Sequence, residues 1–396
     1  MGPRSNKHAA YPSLTIMENS FLPPLDSPGV LIACGGTGGH FFPGIAVGEV
    51  LMRRGHKVIF VISEKEIDAI AASAYPNYRF EKIPNFAMPK PFSPQMIPFL
   101  MAFFKGVMLC RKWIREIGAR AVLGMGGFTS TAPLVAARTT GCASFIHESN
   151  AIPGRANLLN ARFADVALVG WEACRRYFPK GKTQVVGTPV RPSVASGQSP
   201  AEARAAFGLD PERFTVMVMG GSQGAKGIND TVTGMLEHFN AEKVQFLHLA
   251  GPGNEASVRE AYDREGITAY VAEFSSDMGQ VYAASDLGIC RSGASSLNEM
   301  AVAGLPGILI PYPHAADDHQ SRNAEVFTAS EACLVRSQTD LNSLDLAQLV
   351  AELGTDPERL ERMREAMLVL APSRSALTIG DLIEEATLER AAKARK

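Results

Sequence analysis

Cysteine is scarce in this 396-residue chain, and Cys34, Cys110, Cys142, Cys174, Cys290 and Cys333 stand far apart. No two have C-x-x-C or zinc-ligand spacing, which excludes a disulfide framework and points to buried thiols in a reducing compartment. Long apolar runs are also missing: none reaches the ~18 residues of a membrane span. Charge of one sign is not in excess, since the formal net charge is -1. That removes any global attraction for nucleic acid, and no nucleic-acid partner is expected. Residues 1–28 carry several prolines and polar groups without the apolar core of a signal peptide, so they read as a flexible extension. The chain is therefore expected to be cytoplasmic.

What remains is ordinary globular material, 46% hydrophobic and 20% charged, in a chain too long for one core. Short apolar runs at 30–34, 58–62, 121–123, 144–146, 166–169 and 184–186 alternate with helix-periodic stretches. That alternation predicts a parallel sheet covered on both faces. Composition shifts at 187–200, where Pro189, Pro192 and Pro200 lie among Gly, Thr, Ser and Gln, marking a linker. The pattern then restarts with strands predicted at 214–219, 244–249, 268–271, 287–290 and 307–310. The expected fold is α/β, with two doubly wound Rossmann-like domains, 29–190 and 191–372, facing a cleft. A charged helix within about 373–396 either caps the second domain or packs back on the first.

Each half opens with strand, glycine turn and helix: Gly35-Gly36-Thr37-Gly38-Gly39-His40, and Gly220-Gly221-Ser222-Gln223-Gly224-Ala225. Such turns let backbone N–H groups approach a phosphate or a sugar, although packing alone also asks for glycine there. Neither turn supplies the Lys-Ser/Thr of a P-loop. The dinucleotide fingerprint begins at Gly36-Thr37-Gly38 but meets Phe41 at its last position, and Glu64 sits where such an enzyme holds a ribose. No D-x-D motif stands near the glycine turns, so no metal ligand and no required cofactor are expected. Mg²⁺ can still accompany diphosphates.

Both turns, together with Pro43-Gly44, resemble the signature loops of the MurG family of peptidoglycan glycosyltransferases. Further motifs agree in order: Gly124-Met125-Gly126-Gly127-Phe128, His147-Glu148-Ser149-Asn150, Gly187-Thr188-Pro189-Val190-Arg191, Arg291-Ser292-Gly293-Ala294 through Glu299, and Asp318-His319-Gln320 with Asn323-Ala324. The resemblance spans about 30–326. It implies a GT-B fold and inverting transfer of N-acetylglucosamine from UDP-N-acetylglucosamine to lipid I, a lipid-linked acceptor, giving lipid II.

It also implies site residues. Ser222 and Gln223 hold donor phosphate, and Arg191 offers a forked cation to the diphosphate. Arg291, Ala294, Ser295, Ser296, Leu297 and Asn298 form a strand end and helix N-terminus beside the leaving UDP. Glu299 accepts from the ribose hydroxyls. Ser275 and Met278 belong to the loop around uracil, and Gln320 meets the donor sugar. Thr37, Gly38 and Gly39 face the transferred sugar or the acceptor diphosphate. Asn150 positions sugars, since an amide does not titrate. His40, with an ordinary pKa near ~6.5, is the candidate base for the attacking hydroxyl, with Glu148 as a second polar group on the cleft.

Residues 91–113 mix Phe92, Met96, Ile97, Phe99, Leu100, Phe103, Phe104, Val107 and Met108 with Lys105, Arg111 and Lys112. This stretch reads either as a core helix or as an interfacial one, and the latter makes the membrane surface a partner of a peripheral protein. Competing functions are a nucleotide-sugar epimerase, a UDP-sugar or lipid-binding module, and an NAD-linked oxidoreductase.

Overall fold

The structure, a computed structural model, describes residues 28–36, 38–84, 89, 93–195, 197–221, 224–239 and 241–394. The N-terminal extension, Thr37, Phe92, Ser222 and Gln223 lie outside these residues. Seven strands make the first sheet: β1 (Gly29–Ala33), β2 (Val58–Ser63), β3 (Phe80–Ile83), β4 (Ala119–Gly124), β5 (Ala143–Glu148), β6 (Val166–Val169) and β7 (Thr183–Val185). Six make the second: β8 (Phe214–Met219), β9 (Val244–Leu249), β10 (Ala269–Ala272), β11 (Leu287–Cys290), β12 (Gly307–Leu309) and β13 (Cys333–Val335). Their orders are β3-β2-β1-β4-β5-β6-β7 and β10-β9-β8-β11-β12-β13, and neighbours run parallel, as in β1–β4 and β8–β11. Helices cover both faces, which is why β1, β2, β5 and β9 are buried along their whole length.

Strand order reverses beside β1 and β4 in one sheet, and beside β8 and β11 in the other. A crevice opens at such a switch point, outside the carboxyl ends of the strands. Both glycine turns therefore leave from the places where a doubly wound sheet binds ligands. Gly220 has a packing duty as well: a Cβ there would stand 2.3 Å from the Ala225 amide nitrogen.

β3 and β13 lie outside the predicted strands. β3 (Phe-Glu-Lys-Ile) is a half-exposed edge strand with no apolar run, and β13 has only three residues. The closing helix Ser375–Ala394 packs on the first sheet's core, burying Ile379 and Ile383 beside Val30, Val47 and Leu51. Arg54 reaches Asp381 and Glu384, and His56 also meets Glu384. The segment 187–191 is not an open linker, because Thr188 and Arg191 are buried and Gly187 carbonyl bonds His147 Nε2 at 2.9 Å.

Candidate functional site at the domain cleft

β1 and β4 deliver the first half of the site. The turn after β1 is pinned from below by Asp68, whose carboxylate accepts from Gly36 N–H at 2.9 Å and from Ser63 N–H at 2.9 Å. Asp68 is buried, so this turn already holds a negative group, and its Gly36 amide is not free for a phosphate. His40 opens the next helix, and its ring lies under Gly126 and Gly127. A Cβ on Gly126, whose φ is +123, would stand 2.7 Å from His40 Nε2.

Burial pushes the His40 imidazole down to about 4, against a smaller upward pull from Asp68. His40 is thus neutral at physiological pH and less basic than an ordinary histidine. His147 and His248 are likewise pushed down by burial, to about 4 and about 3. An unfolded chain protonates these rings near 6.5 while the folded one does not, so each removes stability as pH falls from 6.5 toward 4. The slope is up to about 1.4 kcal/mol per pH unit for each ring. Glu148 and Glu299, raised by burial, act in the opposite sense. A folded His248→Asn variant should therefore lose less stability to denaturant between pH 7 and pH 5 than the parent, and equal losses would contradict the assignment.

Glu148 ends β5 and is buried, not presented to the cleft. Its Oε1 accepts from Asn150 N–H at 2.9 Å and Asn150 Nδ2 at 2.8 Å, while Oε2 accepts from Asn157 Nδ2 at 2.8 Å and Gly154 N–H at 3.1 Å. Four donors occupy the carboxylate, so it shapes the 149–154 loop and is no base for substrate.

The second half comes from β11 and the helix Ala294–Ala303. Gly293 caps that helix in an extended conformation without a side-chain cap, leaving first-turn amides toward the cleft. Ser295 Oγ crosses to the Gly39 carbonyl at 3.2 Å, so this helix end faces the first glycine turn. Leu297 and Asn298 do not share that face. Leu297 is core and its amide bonds Gly293 carbonyl, while Asn298 Nδ2 bonds Ala294 carbonyl. Arg291 is also turned away: its guanidinium bonds the Ile310 and Pro311 carbonyls and Gln338, fastening the loop beyond β12. The Arg291 guanidinium and the side chains of Leu297 and Asn298 are thus engaged within the protein itself.

Arg191 and Glu299 meet each other. Their ion pair measures 3.6 Å, both are buried, and Tyr282 O–H donates to the other Glu299 oxygen at 2.9 Å. Arg191 also donates to Tyr75 and lies 4.0 Å above the Phe42 ring centroid. Ser275 and Met278 follow β10, near the exposed Phe274. Gln320 Oε1 accepts from Tyr312 N–H at 2.9 Å, which holds the loop after β12. Among the described residues, six buried side-chain polar atoms lack a partner, and four of them sit on the segments that flank this cleft: His40 Nδ1, Thr188 Oγ1, Arg191 Nε and Ser292 Oγ. Orphaned polar atoms concentrated around one crevice indicate a place built for a polar ligand.

Residues 30–169 match the glycosyltransferase family 28 N-terminal domain, and residues 215–377 match its C-terminal domain. The chain is 38% identical over 356 residues to the UDP-N-acetylglucosamine--N-acetylmuramyl-(pentapeptide) pyrophosphoryl-undecaprenol N-acetylglucosamine transferase of Geobacter sulfurreducens, covering 89% of this chain and 97% of that one. It is 35% identical to the Myxococcus xanthus protein of the same name, covering 89% and 91%. The crystal structure of Acinetobacter baumannii MurG matches with a TM-score of 0.70 at 25% identity, over 91% of this chain and 99% of that one. The chain belongs to the MurG family. It is a GT-B glycosyltransferase.

Within this MurG-family site, Asp68, Tyr75, Asn157 and Tyr282 have no precedent in the sequence reading. Asp68 accepts from a turn 32 positions away, and Asn157 donates back to the end of β5; short motifs carry no sign of either contact. Among the described residues no group of three or more His, Cys, Asp or Glu is placed to hold a metal, and no helix is long and apolar enough to cross a membrane.

Proposed function

We propose that this chain transfers N-acetylglucosamine from UDP-N-acetylglucosamine to lipid I, forming lipid II for peptidoglycan, as a peripheral protein on the cytoplasmic face of the membrane. One observation carries this reading: two switch-point turns from separate sheets oppose each other, with the helix end at Ala294 facing Gly39 through Ser295. In the transfer, the C1–O bond to the β-phosphate breaks, UDP leaves with the electron pair, and the muramyl hydroxyl forms the new bond to C1. The hydroxyl proton passes to a base, for which neutral His40 Nδ1 is available. Developing charge on UDP is met by the amides at 294–296. Mg²⁺ enters only with the substrates' phosphates. The epimerase alternative draws no support, since Asp68 and Glu148 are both occupied by loop donors.

Product analysis tests the reading. With a lipid I analogue, the product should gain one N-acetylhexosamine in a β linkage from the α-linked donor. Free UDP-sugar interconversion without acceptor would instead favour the epimerase.

The membrane surface is a second part of the proposal. The helix Met96–Glu116 buries Val107, Cys110, Trp113 and Ile114. Its outer stripe exposes Ile97 (68%), Met101 (69%) and Phe104 (65%), with Leu100 and Met108 alongside. Phe99 and Phe103 stack on each other, half-buried, and are not the outermost groups. Lys105, Lys112 and Arg115 are exposed on the same helix, the composition of an interfacial face. Changing Ile97, Met101 and Phe104 to serine together should lower co-sedimentation with anionic vesicles by about tenfold while UDP affinity stays within about threefold. Unchanged vesicle binding in the folded variant would remove this face from the proposal.

A further inference from the structure

Asn323, on the helix His319–Thr328, is buried, and two of its three side-chain hydrogen bonds cross the domain boundary. Its Oδ1 accepts from Ala151 N–H at 2.9 Å, and its Nδ2 donates to Asn150 Oδ1 at 3.1 Å and to the Ser292 carbonyl at 3.1 Å. The first two partners belong to the loop after β5, and the third to the turn after β11. Asn150 cannot turn its amide the other way, because its Nδ2 donates to Glu148, itself held by Asn157. A connected network thus joins the two loops: Asn157 and Asn150 both donate to Glu148, and Asn323 donates to Asn150 on one side and to the Ser292 carbonyl on the other, so that the orientation of each amide is fixed. The network ends one residue before the cap of the helix whose first turn faces the first glycine turn.

We infer that Asn323 is a positioning residue for the transfer: it locks the acceptor-side loop 149–154 to the donor-side turn 291–293 and sets the distance between the two reacting halves. Such an amide carries information that shape alone does not. Aspartate has the same outline and still accepts from Ala151 N–H, but it brings an acceptor oxygen against two carbonyl-type oxygens, Asn150 Oδ1 and Ser292 O. Each of those buried oxygens would then be left without a donor, which is unfavourable. If Asn323 only fills space, Asn323→Asp should resemble the parent and Asn323→Ala should be the worse variant. If the relay is real, Asn323→Asp is at least as damaging as Asn323→Ala. Misplacement near 1 Å then lowers kcat by about tenfold or more, while the dissociation constant for UDP stays within about threefold.

The rate arm of the test rests on the transferase reading, so hydrogen exchange is measured beside it. In Asn323→Ala the Ala151 amide loses its acceptor, and exchange in 149–153 should quicken about tenfold while both sheets keep their protection. Exchange unchanged in that segment overturns the inference whether or not the protein turns over lipid I. With an active parent, Asn150→Ala and Asn323→Ala should also be non-additive in kcat. Additive losses, a mild Asn323→Asp, or a fall in UDP affinity that parallels kcat would each overturn it. A parent that binds UDP but never transfers would sink the transferase reading and leave the exchange result to decide the positioning role.

Discussion

Replacing Gly126 by alanine should lower kcat about a hundredfold while leaving UDP affinity within about threefold of the parent. Gly126 has φ +123, a conformation that side-chain-bearing residues rarely adopt. The added methyl would also stand 2.7 Å from His40 Nε2 and 3.2 Å from Asn157 Nδ2. Something must shift, and the imidazole is the nearer of the two. Asn157 in turn holds Glu148, so the disturbance reaches the acceptor-side loop by a second route. The second domain is untouched, which is why nucleotide affinity should survive. Equal losses in kcat and UDP affinity would show that His40 is not the group displaced. A small kcat loss in a folded variant would remove His40 from the transfer step.

A second large effect is expected at Arg191. Its methionine variant keeps an apolar contact with Phe42 but leaves Glu299 buried beside Tyr282 with no cation, and removing one partner of a buried pair costs about 3–5 kcal/mol. The sign of its pH dependence follows from Glu299, whose carboxyl is already raised by burial against the pull of Arg191. Without Arg191 the folded carboxyl rises further above its unfolded value. The variant's deficit should therefore be largest at neutral and higher pH. It should shrink as pH falls toward the ordinary carboxylate range, because the folded state then binds the proton more tightly. Denaturant titrations of both proteins at several pH values read this directly, and a deficit that grows on acidification would contradict the pairing. Arg191 also bears on the donor. In the structure it pairs with the residue expected to hold the ribose, so a bound nucleotide must share or replace that contact. KM for the donor should rise with the stability loss.

The parallel sheets were legible in the sequence because many of their strands are buried on both faces and read as largely apolar runs, as at Val58–Ser63 and Phe214–Met219. β3 escaped because an edge strand needs no such run, and β13 because three residues carry no period. In the site, backbone-borne features were readable: the two glycine turns, and Gly293 before its helix. Side-chain partners were less so. Arg291 follows a strand as a phosphate-binding arginine would, yet the carbonyls of Ile310 and Pro311 claim it. Glu148 ends a strand at the cleft, yet four donors from the loop and helix that follow it enclose it. Asp68 carries no motif and is identified only by the Gly36 and Ser63 amides that it collects. Strand ends say where the cleft is, but which residues there are already paired depends on contacts as much as 256 positions apart, as between Ser295 and Gly39.

The central claim is that sugar transfer occurs between the two turns only when donor and acceptor are both present. Its most direct test is UDP release from UDP-N-acetylglucosamine, measured with and without a lipid I analogue. The account predicts sustained release that depends on the acceptor and stops when it is consumed. Release at the same rate without acceptor, or tight UDP binding with no release in either case, would contradict it.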